Sequence, residues 1–183
     1  MGKWLPMISG GLFGVFLIGL HAGCTGPGAI QPAVSWHAVK SGCYDTQENR
    51  FFYGIGRAAG VQNSTLLRAA ADNRARRELA GVLEHYILEL ARSVPGNLDP
   101  NWAMLAFGER RQILGSVVRN AMQRAVICDH WSEPRQGALL SLCRLSLSDF
   151  KSVLSASEAL NDAMRSAMVS AAERVHARLA RKL

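Results

Sequence analysis

A stripe of small and apolar side chains between residues 67 and 90 constrains the fold of this chain more than any other feature. Its members recur at steps of three and four residues, the period of one helix face: Leu67, Ala71, Ala75, Leu79, Val82, Leu83, Tyr86, Ile87 and Leu90. Asn63 or Ser64 can cap the first turn, and Asp72 and Arg76 are spaced for a helical ion pair. A helix this long with one apolar face must bury that face against another layer of structure.

The segment before this helix has the composition of a strand. Residues 50–58 are aromatic and compact, and Gly60 ends the run. Gly54 and Gly56 inside it allow a helix or another backbone to approach closely, or they form a bulge. With Gly60 they also imitate a dinucleotide-binding loop, but the following helix begins several residues too late for that motif.

The rest of the chain alternates helical and strand patterns. Pro95, Gly96 and Pro100 end the first helix, and a second helical region runs to about residue 124 with the stripe Ile113, Val117, Val118 and Met122. Residues 125–132 and 138–145 flank a turn at residues 134–137 and predict a β-hairpin. A capping box at residues 155–158 predicts the start of a terminal helix, whose stripe is Leu160, Met164, Met168, Ala171, Val175 and Leu179.

This order of elements predicts an α+β fold. We expect a single domain in which a small antiparallel sheet is packed by long amphipathic helices on one side. Basic residues gather at the end of the terminal helix, where they suit its dipole: Arg174, Arg178, Arg181 and Lys182. We expect this helix to pack on the domain or on a neighbouring subunit, and the alternative is contact with anionic lipid.

The first two dozen residues predict where the chain works. Lys3 precedes an apolar run over residues 5–20, and small residues lead to Cys24. The pattern resembles a bacterial lipoprotein signal, which is cut just before a cysteine that carries diacylglycerol and an N-acyl chain. The alternative is a single transmembrane anchor, but the run is short against the roughly 20 residues needed to span a bilayer. Thr25 follows the cysteine instead of a retention aspartate, so we expect attachment to the outer membrane, facing the periplasm.

The signal also sets the domain boundaries. We predict a lipoprotein signal peptide at residues 1–23, a lipidated tether at 24–35, an α+β domain at 36–154 and a basic amphipathic helix at 155–183. The chain carries a net charge of +7, or +6 once Lys3 leaves with the signal. In the periplasm this charge favours lipid head groups or cell-wall polymers over nucleic acid. The alternative is a solvated face that happens to be rich in arginine.

Three cysteines remain in a compartment that permits disulfides. A symmetric hairpin places Cys128 directly opposite Cys143, so these two are the candidates for a disulfide, with Cys43 left over. The alternative is two buried thiols. Cys128, His130 and Cys143 together form a weaker candidate for a zinc or copper site, because thiolate and imidazole are the donors these metals prefer. No metal-binding spacing supports that site, and a disulfide would use the same sulfurs.

The sequence contains no motif that indicates an enzyme class. Serine, histidine and carboxylate residues are present, but there is no nucleophile-elbow motif and no local cysteine-protease signature. We therefore predict no catalytic residues and no cofactor beyond the covalent lipid on Cys24.

Several segments together resemble one bacterial family. They are the run at residues 52–56, Ala70, the runs at 72–76 and 78–80, a lipidated N terminus, and residues 129–131 before a hairpin turn. This combination resembles the Lpp-twenty lipoproteins over residues 51–150. The resemblance implies an outer-membrane lipoprotein of a family that includes scaffolding members, some associated with the flagellum.

We therefore expect a non-enzymatic scaffold or assembly factor of the cell envelope. Its partners would be the outer membrane, reached through the lipid, and further copies of itself or another envelope protein. The alternative is a periplasmic module that binds a metal or a small ligand.

Overall fold

The structure is a computed structural model that describes residues 40–45, 49–95 and 98–182. The strands in these ranges are β1 (Gly42–Asp45), β2 (Arg50–Ala59), β3 (Val126–Glu133), β4 (Ala138–Ser146) and β5 (Arg181–Lys182). The α-helices are α1 (Ser64–Arg92), α2 (Pro100–Met104), α3 (Phe107–Met122), α4 (Leu147–Ser155) and α5 (Asp162–Leu179). The strands form one sheet in the order β3, β4, β2, β1, β5. All neighbours pair antiparallel except β5, which lies parallel to β1 over two residues. The predicted α+β fold is confirmed.

Helix α1 packs directly against β2. Asn63 caps the helix through its side-chain oxygen, which accepts a hydrogen bond from Leu66 N at 3.0 Å. Seven members of the predicted stripe are buried: Ala71, Ala75, Leu79, Leu83, Tyr86, Ile87 and Leu90. A Cβ atom on Gly54 would lie 2.3 Å from Ala75 O, and one on Gly56 would lie 2.1 Å from Ala75 N. The two glycines therefore allow the backbones of α1 and β2 to approach closely, which is one of the two roles that the sequence predicts for them.

An aromatic cluster joins the sheet to three helices. Phe52 of β2 meets Tyr86 of α1 and Phe150 of α4, with ring centroids 4.8 and 5.6 Å apart. Tyr86 donates a hydrogen bond from its hydroxyl to Ala172 O of α5 at 2.7 Å. Because the members of this cluster are buried, α5 contributes to the core of the domain. The predicted packing of the terminal helix on the domain is confirmed.

The terminal helix begins later than its sequence predicts. The capping box at residues 155–158 does not start it, because Ser155 ends α4. The cap of α5 is Asn161, whose side chain accepts from Met164 N at 2.8 Å. Helix α4 forms because Ser146 caps it, accepting from Asp149 N at 3.0 Å, and because four apolar side chains recur on its buried face: Leu147, Phe150, Val153 and Leu154.

The N-terminal predictions lie outside the described residues. They include the signal peptide at residues 1–23, the tether at 24–35 and the lipidation site Cys24. Within the described ranges, none of the helices combines the length and the apolar character needed to cross a membrane.

Candidate functional site

The sheet has two unequal faces. The helices cover the face that carries Phe52, Gly54 and Cys143. The opposite side, which we call the outer face, carries a second apolar cluster made of Tyr44, Tyr53, Leu140 and Leu142, with Phe51 and Ile55 packed against it. These side chains alternate along β2 and β4 with those of the main core, as a pleated strand requires. The domain therefore has apolar side chains on both faces of its sheet.

Aromatic contacts organise the outer face. The rings of Phe51 and Tyr53 stack with centroids 5.9 Å apart, and Tyr44 lies 5.4 Å from Tyr53. The Arg144 guanidinium lies 4.8 Å above the centre of the Phe51 ring, a cation–π contact. Burial raises the pKa of Tyr53 above its ordinary value, so its hydroxyl stays neutral at physiological pH. The outer face is apolar with one cationic group set into it.

Strand β3 extends the outer face to the edge of the sheet. Val126 lies opposite Arg144 and Trp131 lies opposite Leu140, so both side chains stand beside the outer cluster. They are 50% and 45% exposed, respectively. Within the described residues β3 pairs only with β4 and ends the sheet. An outermost strand of eight residues with exposed apolar side chains is a template on which an extended segment of another chain can pair.

A polar cluster fixes β3 and β4 to α1. Asp72 Oδ1 accepts a hydrogen bond from Ser141 Oγ at 2.6 Å and contacts His130 Nε2 at 2.7 Å. Arg68 Nη2 lies 2.9 Å from His130 Nδ1. Arg68 Nε also lies 3.3 Å from His130 Nε2, so the guanidinium, which can only donate, faces both ring nitrogens. The shorter contacts favour a ring that accepts from Arg68 at Nδ1 and donates to Asp72 from Nε2. The cluster orients the imidazole and ties three elements together.

This arrangement differs from that of a catalytic triad. In a triad the imidazole lies between the hydroxyl and the carboxylate and accepts the hydroxyl proton. Here Asp72 lies between Ser141 and His130, so the imidazole does not reach the hydroxyl. Ser141 is also 0% exposed. The geometry suits the bracing of β3 better than attack on a substrate.

The predicted ion pair within α1 is wrong. Asp72 uses its carboxylate for Ser141 and His130, and Arg76 donates instead to Ala125 O at 3.2 Å. Both contacts reach outside the helix, because these two positions face the hairpin and not open solvent. The four-residue spacing of Asp72 and Arg76 carries no information about which element packs against them.

The predicted opposition of Cys128 and Cys143 is also wrong. The register shifts between Ile127 and Asp129, and Cys143 therefore lies opposite Ile127. Cys128 is the extra residue of this β-bulge, and no disulfide joins the two thiols in the structure. The Cys128 sulfur lies 3.5 Å from Leu142 O. Burial raises the pKa of Cys143 to about 11, and desolvation of the sulfur raises that of Cys128 above its ordinary value although the residue as a whole is exposed. Both thiols are therefore protonated at neutral pH.

The structure does not assemble the proposed metal ligands. Among the described residues, no group of three or more histidine, cysteine, aspartate and glutamate side chains could hold a metal ion. The imidazole of His130 is held by Asp72 and Arg68. The bulge at Cys128 also removes the register that would have brought Cys128 and Cys143 together across the hairpin.

Sequence reasoning did not identify the outer face or the polar cluster. The outer face was detectable in part, because Phe51, Tyr53 and Ile55 alternate with the glycines of the same strand. The contact of Asp72 with Ser141 spans 69 positions, and no local pattern marks it. No protein-family model matches this chain, and no curated protein sequence matches it. The likeness to Lpp-twenty lipoproteins stays a prediction from the residues that suggested it.

Proposed function

We propose that this chain is a non-enzymatic scaffold or assembly factor, anchored by lipid on Cys24 to the periplasmic face of the outer membrane. Its α+β domain recruits an envelope protein, which adds an extended segment to β3, the outermost strand among the described residues. A flagellar association is the narrower version of this proposal, and only the resemblance to Lpp-twenty lipoproteins supports it.

One observation carries the proposed recruitment. Among the described strands β3 is outermost, and its Val126 and Trp131 side chains are about half exposed beside the buried apolar cluster of the outer face. The strand is also held in place, because His130 is hydrogen-bonded to Asp72 of α1 on the helix-covered face of the sheet. A rigid edge with apolar side chains lowers the entropy cost of pairing with a partner strand.

The test is crosslinking in intact cells, followed by affinity purification of the lipidated protein and mass spectrometry. Trp131→Lys places a charge on the edge strand, which natural proteins use to block strand pairing. We expect this variant to lose about tenfold or more of the copurified partner, because loss of a tryptophan that is an interface hot spot costs about 2 kcal/mol or more and about 1.4 kcal/mol corresponds to tenfold in affinity. Gln112→Lys adds the same charge at an exposed position of α3 and is the matched control.

Equal recovery of the partner with Trp131→Lys and with Gln112→Lys would overturn the role of β3. Recovery of further copies of this chain, lost in Trp131→Lys, would identify the partner as the protein itself. Flagellar basal-body proteins would support the flagellar version, and cell-wall or transport proteins would replace it with a general envelope role.

A further inference from the structure

The corner between α2 and α3 carries the two most exposed large apolar side chains of the described residues. Met104 is 78% exposed and Phe107 is 66% exposed. Eight of the ten residues from Pro100 to Glu109 are exposed. The corner therefore stands out from the described part of the domain.

Hydrogen bonds hold this corner in its shape. Asp99 caps α2 by accepting from Asn101 N and Trp102 N at 3.0 and 3.2 Å. Glu109 accepts from Ala106 N at 2.8 Å, and Arg110 donates to Leu105 O at 2.9 Å. Trp102 packs inward against the main core. Met104 and Phe107 are thus presented by an ordered turn whose two carboxylates are used as caps.

The charged side chains at the corner are balanced in number, since Arg110 and Arg111 stand beside Asp99 and Glu109, but both carboxylates are engaged as helix caps. The exposed cation of the corner is Arg111, because Arg110 is partly buried and bonded to Leu105 O. Arg111 is well exposed, and its one ion pair, to Glu84, is long at 3.9 Å. Projecting apolar side chains next to an exposed arginine match the interface of an anionic bilayer, which accepts an apolar tip without a shaped pocket and attracts the cation to its phosphates.

We propose that this corner is a second membrane contact, in which Met104 and Phe107 enter an anionic lipid surface and Arg111 meets its phosphate groups. The inference rests on the proposed lipid anchor, which brings the bilayer within reach. Cys24 and the first described residue, Lys40, are sixteen positions apart, so the tether spans at most about 55 Å. Two contacts would fix the orientation of the domain, which a tether alone leaves free.

The experiment places a fluorophore on the mature lipidated chain in vesicles of phosphatidylcholine and phosphatidylglycerol. Met104→Cys carries an environment-sensitive label. Ser170→Cys, at an exposed position of α5, is the matched control. Both variants also carry Cys128→Ser, which removes the exposed native thiol. We expect the label at position 104 to shift to shorter wavelength and to be quenched by lipids brominated in their acyl chains. The label at position 170 should do neither.

Arg111 and the salt dependence provide a second readout. Arg111→Gln should reduce the quenching at position 104, as should a change from low to high salt, because exposed charges are screened. A chain that floats with the vesicles but whose label at position 104 stays unquenched overturns the second contact and leaves the anchor intact. A chain that does not float overturns the proposed anchor, and this inference with it.

Discussion

At the scale of single residues, Gly54 and Gly56 set the distance between the helix layer and the sheet. A Cβ on Gly54 would lie 2.3 Å from Ala75 O and 2.4 Å from Leu79 N, and both atoms belong to the backbone of α1. Because backbone cannot move aside as a flexible side chain can, we expect Gly54→Ala to destabilise the domain by about 3 kcal/mol or more. Chemical denaturation monitored by circular dichroism measures this change.

Gly81 is the matched control for Gly54. It lies on the exposed side of α1, and nothing lies within 4 Å of an added Cβ. Gly81→Ala should raise the free energy of unfolding by up to about 1 kcal/mol, since alanine favours the helix. If both substitutions had the same effect, the glycines of β2 would not control the packing of α1.

His176 makes stability depend on pH. The residue is 0% exposed, and burial holds its pKa below the ordinary value of about 6.5. Arg50 also lowers this pKa, whereas the hydrogen bond to Phe51 O and the nearby Asp45 oppose the shift. The imidazole is therefore neutral in the folded state at a pH where the unfolded chain already binds a proton.

Because the unfolded state binds this proton at a higher pH than the folded state does, His176 lowers the free energy of unfolding as the pH falls. Above pH 6.5 both states are neutral at His176, and as pH falls below 6.5 the unfolded state is favoured until the folded imidazole protonates. We expect His176→Gln, which cannot titrate, to lose less stability than the parent between pH 7 and pH 5. Urea denaturation at several pH values tests this, and parallel curves for the two proteins would contradict it.

At the scale of elements, α5 is a core helix. Met168 is 0% exposed, and the helix also receives the hydrogen bond from Tyr86. Met168→Ala should cost about 2 to 5 kcal/mol, the usual range for emptying a buried site. Ser170→Ala, on the exposed side, should stay within about 0.5 kcal/mol. An unaffected Met168→Ala would mean that α5 is not packed in solution as it is in the structure.

The hairpin was predictable from the sequence, but the bulge in β3 was not. The turn at Pro134–Gln136 and Gly137 was predictable, and the pairs from Asp129 to Glu133 follow the expected register. The extra residue at Cys128 shifts the pairing by one position, so Ile127 takes the place opposite Cys143. Residue spacing alone carries no signal for such an insertion, because the same residues can pair in either register.

At the scale of the whole molecule, the proposed lipid anchor on Cys24 predicts where the domain works. Cys24→Ser removes the acceptor of the lipid, and we expect the chain to leave the outer-membrane fraction. Separation of membranes on a density gradient, with immunodetection, measures the distribution. Cys128→Ser is the matched control and should stay with the outer membrane. A Cys24→Ser protein that remained firmly in the outer membrane would refute the anchor.

The sequence by itself determined the α+β class, the extents of α1 and the hairpin, and the buried stripe of α5. These features follow from local periodicity and from glycine, proline and capping residues, which act over a few positions. Only the tertiary structure decided that Ser141 and His130 share Asp72 and that Cys143 faces Ile127. It also decided that apolar residues of β1, β2 and β4 form an outer cluster. Such contacts join positions far apart in the chain, and they depend on register and packing that no local pattern encodes.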